Sequence, residues 1–176
     1  MKPLQVDLER FEELVSKVHA DDEDGYHQAL RSVLEGERLL TNDRIDGASV
    51  APGDLYEEDN AGVKSYFLNI RAECDCVIRS GNRNPMLHLL KGRIEMAPRI
   101  NPDYANLVEN DNEVIIFSMY KGQTLRFGFK DVKQERWNAM KDRRVGRLLS
   151  PFITRVLQRY ASYSQRPGLA RLPSVF

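Results

Sequence analysis

The stretch Val114-Ile115-Ile116-Phe117-Ser118-Met119-Tyr120-Lys121-Gly122-Gln123-Thr124-Leu125-Arg126-Phe127-Gly128-Phe129 decides the fold class. Its first seven residues are apolar on both faces and rich in β-formers, as in a strand covered on both sides. Lys121-Gly122 then supplies turn chemistry. In the return segment Leu125, Phe127 and Phe129 alternate with Thr124, Arg126 and Lys130, the two-residue period of a half-buried strand. Two such runs about a short glycine-containing turn predict a hairpin.

Upstream, the alternation continues. Tyr66, Leu68, Ile70, Ala72, Cys74, Cys76 and Ile78 fall on one side, and Asn69, Arg71, Glu73, Asp75 and Arg79 on the other. This predicts one long half-buried strand over 66–78, with a bend or bulge inside it. Met86 to Met96 reads as another strand, interrupted near Lys91-Gly92, and Gly53-Asp54-Leu55-Tyr56 opens the sheet. Five or so strands with little helix between them predict a small antiparallel β-barrel-like sheet of the SH3 kind.

The flanks read as helical. Leu8, Phe11, Val15 and Val18, with Leu4 and Leu14 nearby, recur at three- and four-residue steps, and a second helix places Tyr26, Leu30, Val33 and Leu34 on one side. Asn42, Asp43, Asp46, Gly47, Pro52 and Gly53 mark a connection. At the far end Val145, Leu148, Leu149, Phe152, Ile153, Val156, Leu157 and Tyr160 keep helical spacing, and Ser150-Pro151 either starts a helix or kinks a longer one. Trp137 is a candidate anchor between sheet and terminal helix. The expectation is an α+β protein with an acidic helical pair over 1–45 and a barrel-like domain over 46–176, closed by a C-terminal amphipathic helix.

Charge is sorted along the chain. Residues 1–62 hold sixteen Asp and Glu against six Lys and Arg, and residues 117–176 hold thirteen Lys and Arg against three Asp and Glu. The formal net charge of zero hides this dipole, which points either to a basic end that binds a polyanion or to two halves that dock on each other. The length of 176 residues suits one domain. No apolar run approaches the ~20 residues of a membrane span, and the start, MKPLQVDLERFEEL, has no apolar signal core. With two cysteines two positions apart, a reducing bacterial-type cytoplasm is the expected compartment.

Read as a helix, the C-terminal segment carries Arg144, Arg147, Arg155 and Arg159 along one stripe, continued by Ser162 and Arg166, with Lys141 and Arg143 at its start. Guanidinium groups so spaced could meet successive phosphates as bidentate forks, pair with an acidic protein surface, or simply be solvated. Phe152, Tyr160 and Tyr163 are candidate base supports or core residues. Arg71, Glu73, Asp75 and Arg79 form a polar strand-face cluster, read as a salt-bridge network or a ligand-holding site. Cys74 and Cys76 read as small core hydrophobes, and the three histidines, His19, His27 and His88, are not spaced to complete a zinc site with them. No Gly-x-Ser-x-Gly elbow and no phosphate loop occurs. No catalytic residue, metal or cofactor is implied.

Three stretches together carry a resemblance. They are Ser65 to Cys76 (SYFLNIRAECDC), Asp142 to Arg155 (DRRVGRLLSPFITR), and Gln158 to Tyr163 (QRYASY) with the Pro167-Gly168-Leu169 exit. They resemble the C-terminal module of bacterial response-regulator-like proteins with an inactive receiver domain, found in signalling and conflict gene clusters beside sensor-kinase-like ATPases. The resemblance implies a protein partner, such as that ATPase, and roles in signal transduction or antiviral defence. No receiver domain is recognisable, so phosphoacceptor logic does not carry over. The strand order also looks like the small barrel of PemK-type toxins, which cleave RNA, but no matching arginine and acid motif is present. The expected function is a non-enzymatic interaction module that binds a partner protein, or a second copy of the chain, through the basic C-terminal helix. The alternative is nucleic-acid binding by a ribonuclease-like barrel.

Overall fold

The computed structural model describes residues 23–95, 107–109 and 111–166, and the predicted helix over Leu4 to Val18 lies outside them. A helix, α1 (Glu23–Arg38), leads into β1 (Leu39–Thr41). After the connection 42–53 come β2 (Asp54–Asn60), β3 (Val63–Asn69), β4 (Met86–Ile94), β5 (Leu107–Glu109), β6 (Glu113–Tyr120), β7 (Gln123–Arg136) and β8 (Arg144–Leu148). The chain then enters α2 (Phe152–Ser164). Among the described residues, eight strands make one curled antiparallel sheet in the order β1-β8-β2-β3-β4-β7-β6-β5. The hairpin read from 114–129 is the β6–β7 pair, with Lys121 and Gly122 at positive φ in its turn.

The strand period places neighbouring residues on opposite sheet faces, and each face has its own core. Leu55, Tyr66, Leu68, Leu90, Phe127 and Phe129 pack on one side beneath Ile153 and Val156 of α2. Tyr56, Phe67, Leu87 and Leu89 pack on the other with Cys76, Trp137 and Met140. The interruption foreseen near Lys91-Gly92 is a register shift between β4 and β7. A Cβ at Gly92 would sit 2.5 Å from the Phe127 ring, so only glycine lets that ring cross the strand.

Three sequence expectations are corrected. The long strand over 66–78 stops at Asn69, and a helical turn follows at Glu73–Cys76. Asn69 causes the change: its side-chain oxygen accepts the Arg71 N–H at 3.1 Å, the local bond by which asparagine turns a chain. Of the two readings at Ser150-Pro151, the start of a helix holds, and the longer kinked helix reaching back to Val145 does not. Arg144–Leu148 is a strand, and the helix begins only after Pro151. Val33, expected on the packed face of α1, is exposed, whereas Leu34 is half-buried.

β1 lies within the stretch read as an N-terminal arm, and it pairs with β8 through Leu39↔Leu148 and Thr41↔Gly146. Arg38, at the end of α1, is fully buried. It donates to the Phe117 carbonyl and lies 5.4 Å over the Phe152 ring. Burial holds its pKa down to about 10. Trp137 does act as an anchor, but between β7 and β8, in the turn Trp137–Met140, whose two end residues are buried.

Candidate functional sites

The six C-terminal arginines do not share one stripe. They fall into four places.

Arg144 and Arg147 are three apart on a strand, which would ordinarily point them to opposite faces. The β2–β8 register prevents this: Asp54 pairs with Arg147, Leu55 with Gly146, and Tyr56 with Arg144, so Val145 is an extra residue in β8. The bulge turns both guanidinium groups to the same side. There Arg147 Nε donates to Asp54 Oδ1 at 2.6 Å, and Arg144 Nη1 lies 3.7 Å from Asp54 Oδ2. Arg144 also donates to Asn42 Oδ1 at 2.8 Å, to the Asp46 carbonyl at 3.0 Å and to the Ser49 carbonyl, and stacks 5.4 Å over Trp137. Arg147 reaches Ser49 Oγ at 3.2 Å, and the Ala51 N–H caps Asp54 Oδ2 at 3.1 Å. Together these bonds fasten the connection 42–53 to β8. Burial pushes the Asp54 carboxyl pKa upward, and the hydrogen bond and charge of Arg147 pull it back. The neighbouring Tyr56 hydroxyl, 3.4 Å from the same carboxylate, is held above its ordinary pKa by burial and then by that charge. With its donors spent on protein groups, Arg144 is a clamp rather than a phosphate fork.

Arg143 lies on the surface, with Nη1 2.5 Å from Glu58 Oε1, an oxygen that Lys133 also approaches at 3.3 Å. Arg166 pairs with Asp111 at 3.2 Å and stacks over Tyr163.

Arg155 and Arg159 remain on α2, one turn apart and exposed, beside Thr154, Gln158 and Ser162. The helix keeps this face outward because Ile153, Val156, Leu157 and Tyr160 occupy the other. Phe152, Tyr160 and Tyr163 all pack against the core, with Phe129 6.0 Å from Tyr160 and 5.6 Å from Tyr163, so they act as core residues rather than base supports.

The second predicted cluster is partly assembled. Arg71 Nη2 bonds Asp75 Oδ2 at 2.7 Å across one helical turn. Glu73 and Arg79 are exposed, and Arg79 engages Asn82 through its backbone. Cys76 is buried as expected, and burial pushes its thiol pKa up. Cys74 is exposed, because a helical turn, unlike a strand, does not return the side chain two positions away to the same side. The sequence reading missed His88, which meets Arg71 at 2.9 Å. The signal was its place among Leu87, Leu89 and Leu90: a histidine inside an apolar strand needs a polar partner.

Fold and sites together define an α+β domain with a curled antiparallel sheet, an internal arginine–aspartate clamp and a basic surface helix. No protein-family model and no curated protein matches the chain. Among the described residues no helix is long and apolar enough to cross a membrane.

Proposed function

We propose that the protein is a non-enzymatic interaction module of bacterial signalling or anti-phage conflict that engages a protein partner through the outer face of α2. The supporting observation is the exposed outer face of α2. Arg155 and Arg159 lie exposed, one turn apart, on the outer side of a helix whose inner side is fixed by the core. Such a face suits an acidic protein surface, where paired charges speed encounter and set register. The resemblance to response-regulator-like modules suggests a sensor-kinase-like ATPase as that partner.

The test is the double variant Arg155→Glu, Arg159→Glu, compared with the unaltered chain after purification from its native host. The expected result is a stoichiometric protein companion with the parent chain, its loss from the variant, and equal thermal stability of the two. A strictly solitary parent chain would overturn the reading. Gel shifts with single-stranded RNA and duplex DNA at low salt are expected to show no retardation. A shift lost in the variant, with affinity falling log-linearly with salt, would install the nucleic-acid alternative instead.

A further inference from the structure

The excursion 70–82, between β3 and β4, is held to β4 by a contact whose chemistry fixes a protonation state. Arg71 Nη1 lies 2.9 Å from His88 Nε2, while Arg71 Nη2 holds Asp75. A guanidinium has five N–H donors and no acceptor. The imidazole nitrogen must therefore supply the lone pair. His88 is neutral, with its ring proton on Nδ1.

Other bonds, none of them to the imidazole ring, also hold the excursion. The Ile70 N–H donates to the His88 carbonyl at 2.8 Å, and the Arg71 N–H donates to Asn69 Oδ1. Asn69 Nδ2 in turn donates to the Ala51 carbonyl at 2.9 Å and reaches Cys76 Sγ at 3.5 Å. Asn82 Nδ2 closes the far side on the Asp75 carbonyl at 3.1 Å. Beyond the helical turn, Val77 and Ile78 stand exposed.

We propose that the Arg71–His88 pair is a pH-sensitive latch: protonation of His88 turns its acceptor nitrogen into a donor, breaks the contact and loosens the excursion, with its apolar Val77-Ile78 tip, on the sheet. The charged groups around the ring are few. Arg71 and Asp75 face it from the excursion. From β7, Gln134 is its cross-strand partner, and Arg136, two positions on, is tied to the Asn84 carbonyl at 3.1 Å. Lys133 and Glu135 alternate to the other face. Burial first, and then the Arg71 charge, hold the His88 pKa below its ordinary 6.5, and Asp75 opposes them. A folded-state pKa below the unfolded one means the unfolded chain takes up the proton first. The stabilisation is therefore complete above the ordinary histidine value and is lost as pH falls through the lower folded one.

Long-range proton–nitrogen spectra of the full chain test the tautomer, and amide exchange of residues 71–82, normalised to intrinsic rates and to β3, tests the loosening. Nε2 is expected to be unprotonated near neutrality. Protection of 71–82 is expected to fall about tenfold or more between about pH 7.5 and about pH 5. His88→Gln, which keeps an acceptor but does not titrate, should abolish that fall. A proton on Nε2, protection independent of pH, or an equal fall in His88→Gln would overturn the latch. If His88→Gln does not fold, the parent ring titration decides: a midpoint at or above the ordinary histidine value also overturns it.

Discussion

Cys74 and Cys76 stand two positions apart and live in different surroundings, which makes them a sharp probe at the scale of single residues. Cys76 lies against Phe67, Leu87, Leu89 and Trp137, and its sulfur meets Asn69. Cys74 faces solvent. Cys76→Ser puts a smaller, more polar group at a fully buried position among apolar side chains and is expected to cost about 1 kcal/mol or more. Cys74→Ser should stay within about 0.5 kcal/mol of the parent, as exposed substitutions do. Urea unfolding of both variants is the measurement, and equal values would show that the helical turn Glu73–Cys76 is misplaced. Alternation placed Cys76 with Tyr66, Leu68 and Ile70; it is buried, but in the opposite core, with Phe67 and Leu87. The exposure of Cys74 was not legible, because the break depends on the bond from Asn69 to the Arg71 amide, which alternation does not register.

At the scale of elements, β8 is the informative piece. Its buried positions are Arg144, Gly146 and Leu148, which are one charge, one residue without a side chain and a single apolar side chain. Alternation of hydrophobicity is invisible in such a segment. The helical spacing of Val145, Leu148 and Leu149 fills the gap with a false signal. The β6–β7 hairpin, by contrast, could be read directly, since Val114, Ile116, Leu125 and Phe127 are apolar wherever they are buried. The bulge at Val145 gives β8 its second role, because only with that extra residue do Arg144 and Arg147 converge on Asp54. Asp54→Ala removes the shared anion and leaves two guanidinium groups crowded beside Tyr56. A cost of about 3 kcal/mol or more is expected by chemical unfolding. A loss below about 1 kcal/mol would mean that the backbone ladder alone fastens the connection 42–53.

The whole molecule is a sheet with a core on each side and an electrostatic join between its acidic and basic halves. Shortening the chain to end at residue 143 removes β8 and α2 together, exposes the edge of β2, and strips Leu148, Ile153 and Val156 from one core. Each such side chain contributes about 1.5–3 kcal/mol on burial, and a domain has only about 5–15 kcal/mol in hand. The shortened chain is expected to show no cooperative thermal transition, whereas the full chain should melt in one step. A retained sharp transition by near-ultraviolet circular dichroism would show that the remaining strands fold alone. The join also sets an order of events during synthesis. Asp54 waits 93 residues for the Arg147 that neutralises it. A nascent chain emerging at roughly 5–20 residues per second thus carries an unmatched anion and an open sheet margin for several seconds. In that interval its first half is exposed to whatever other cation or strand the cell presents.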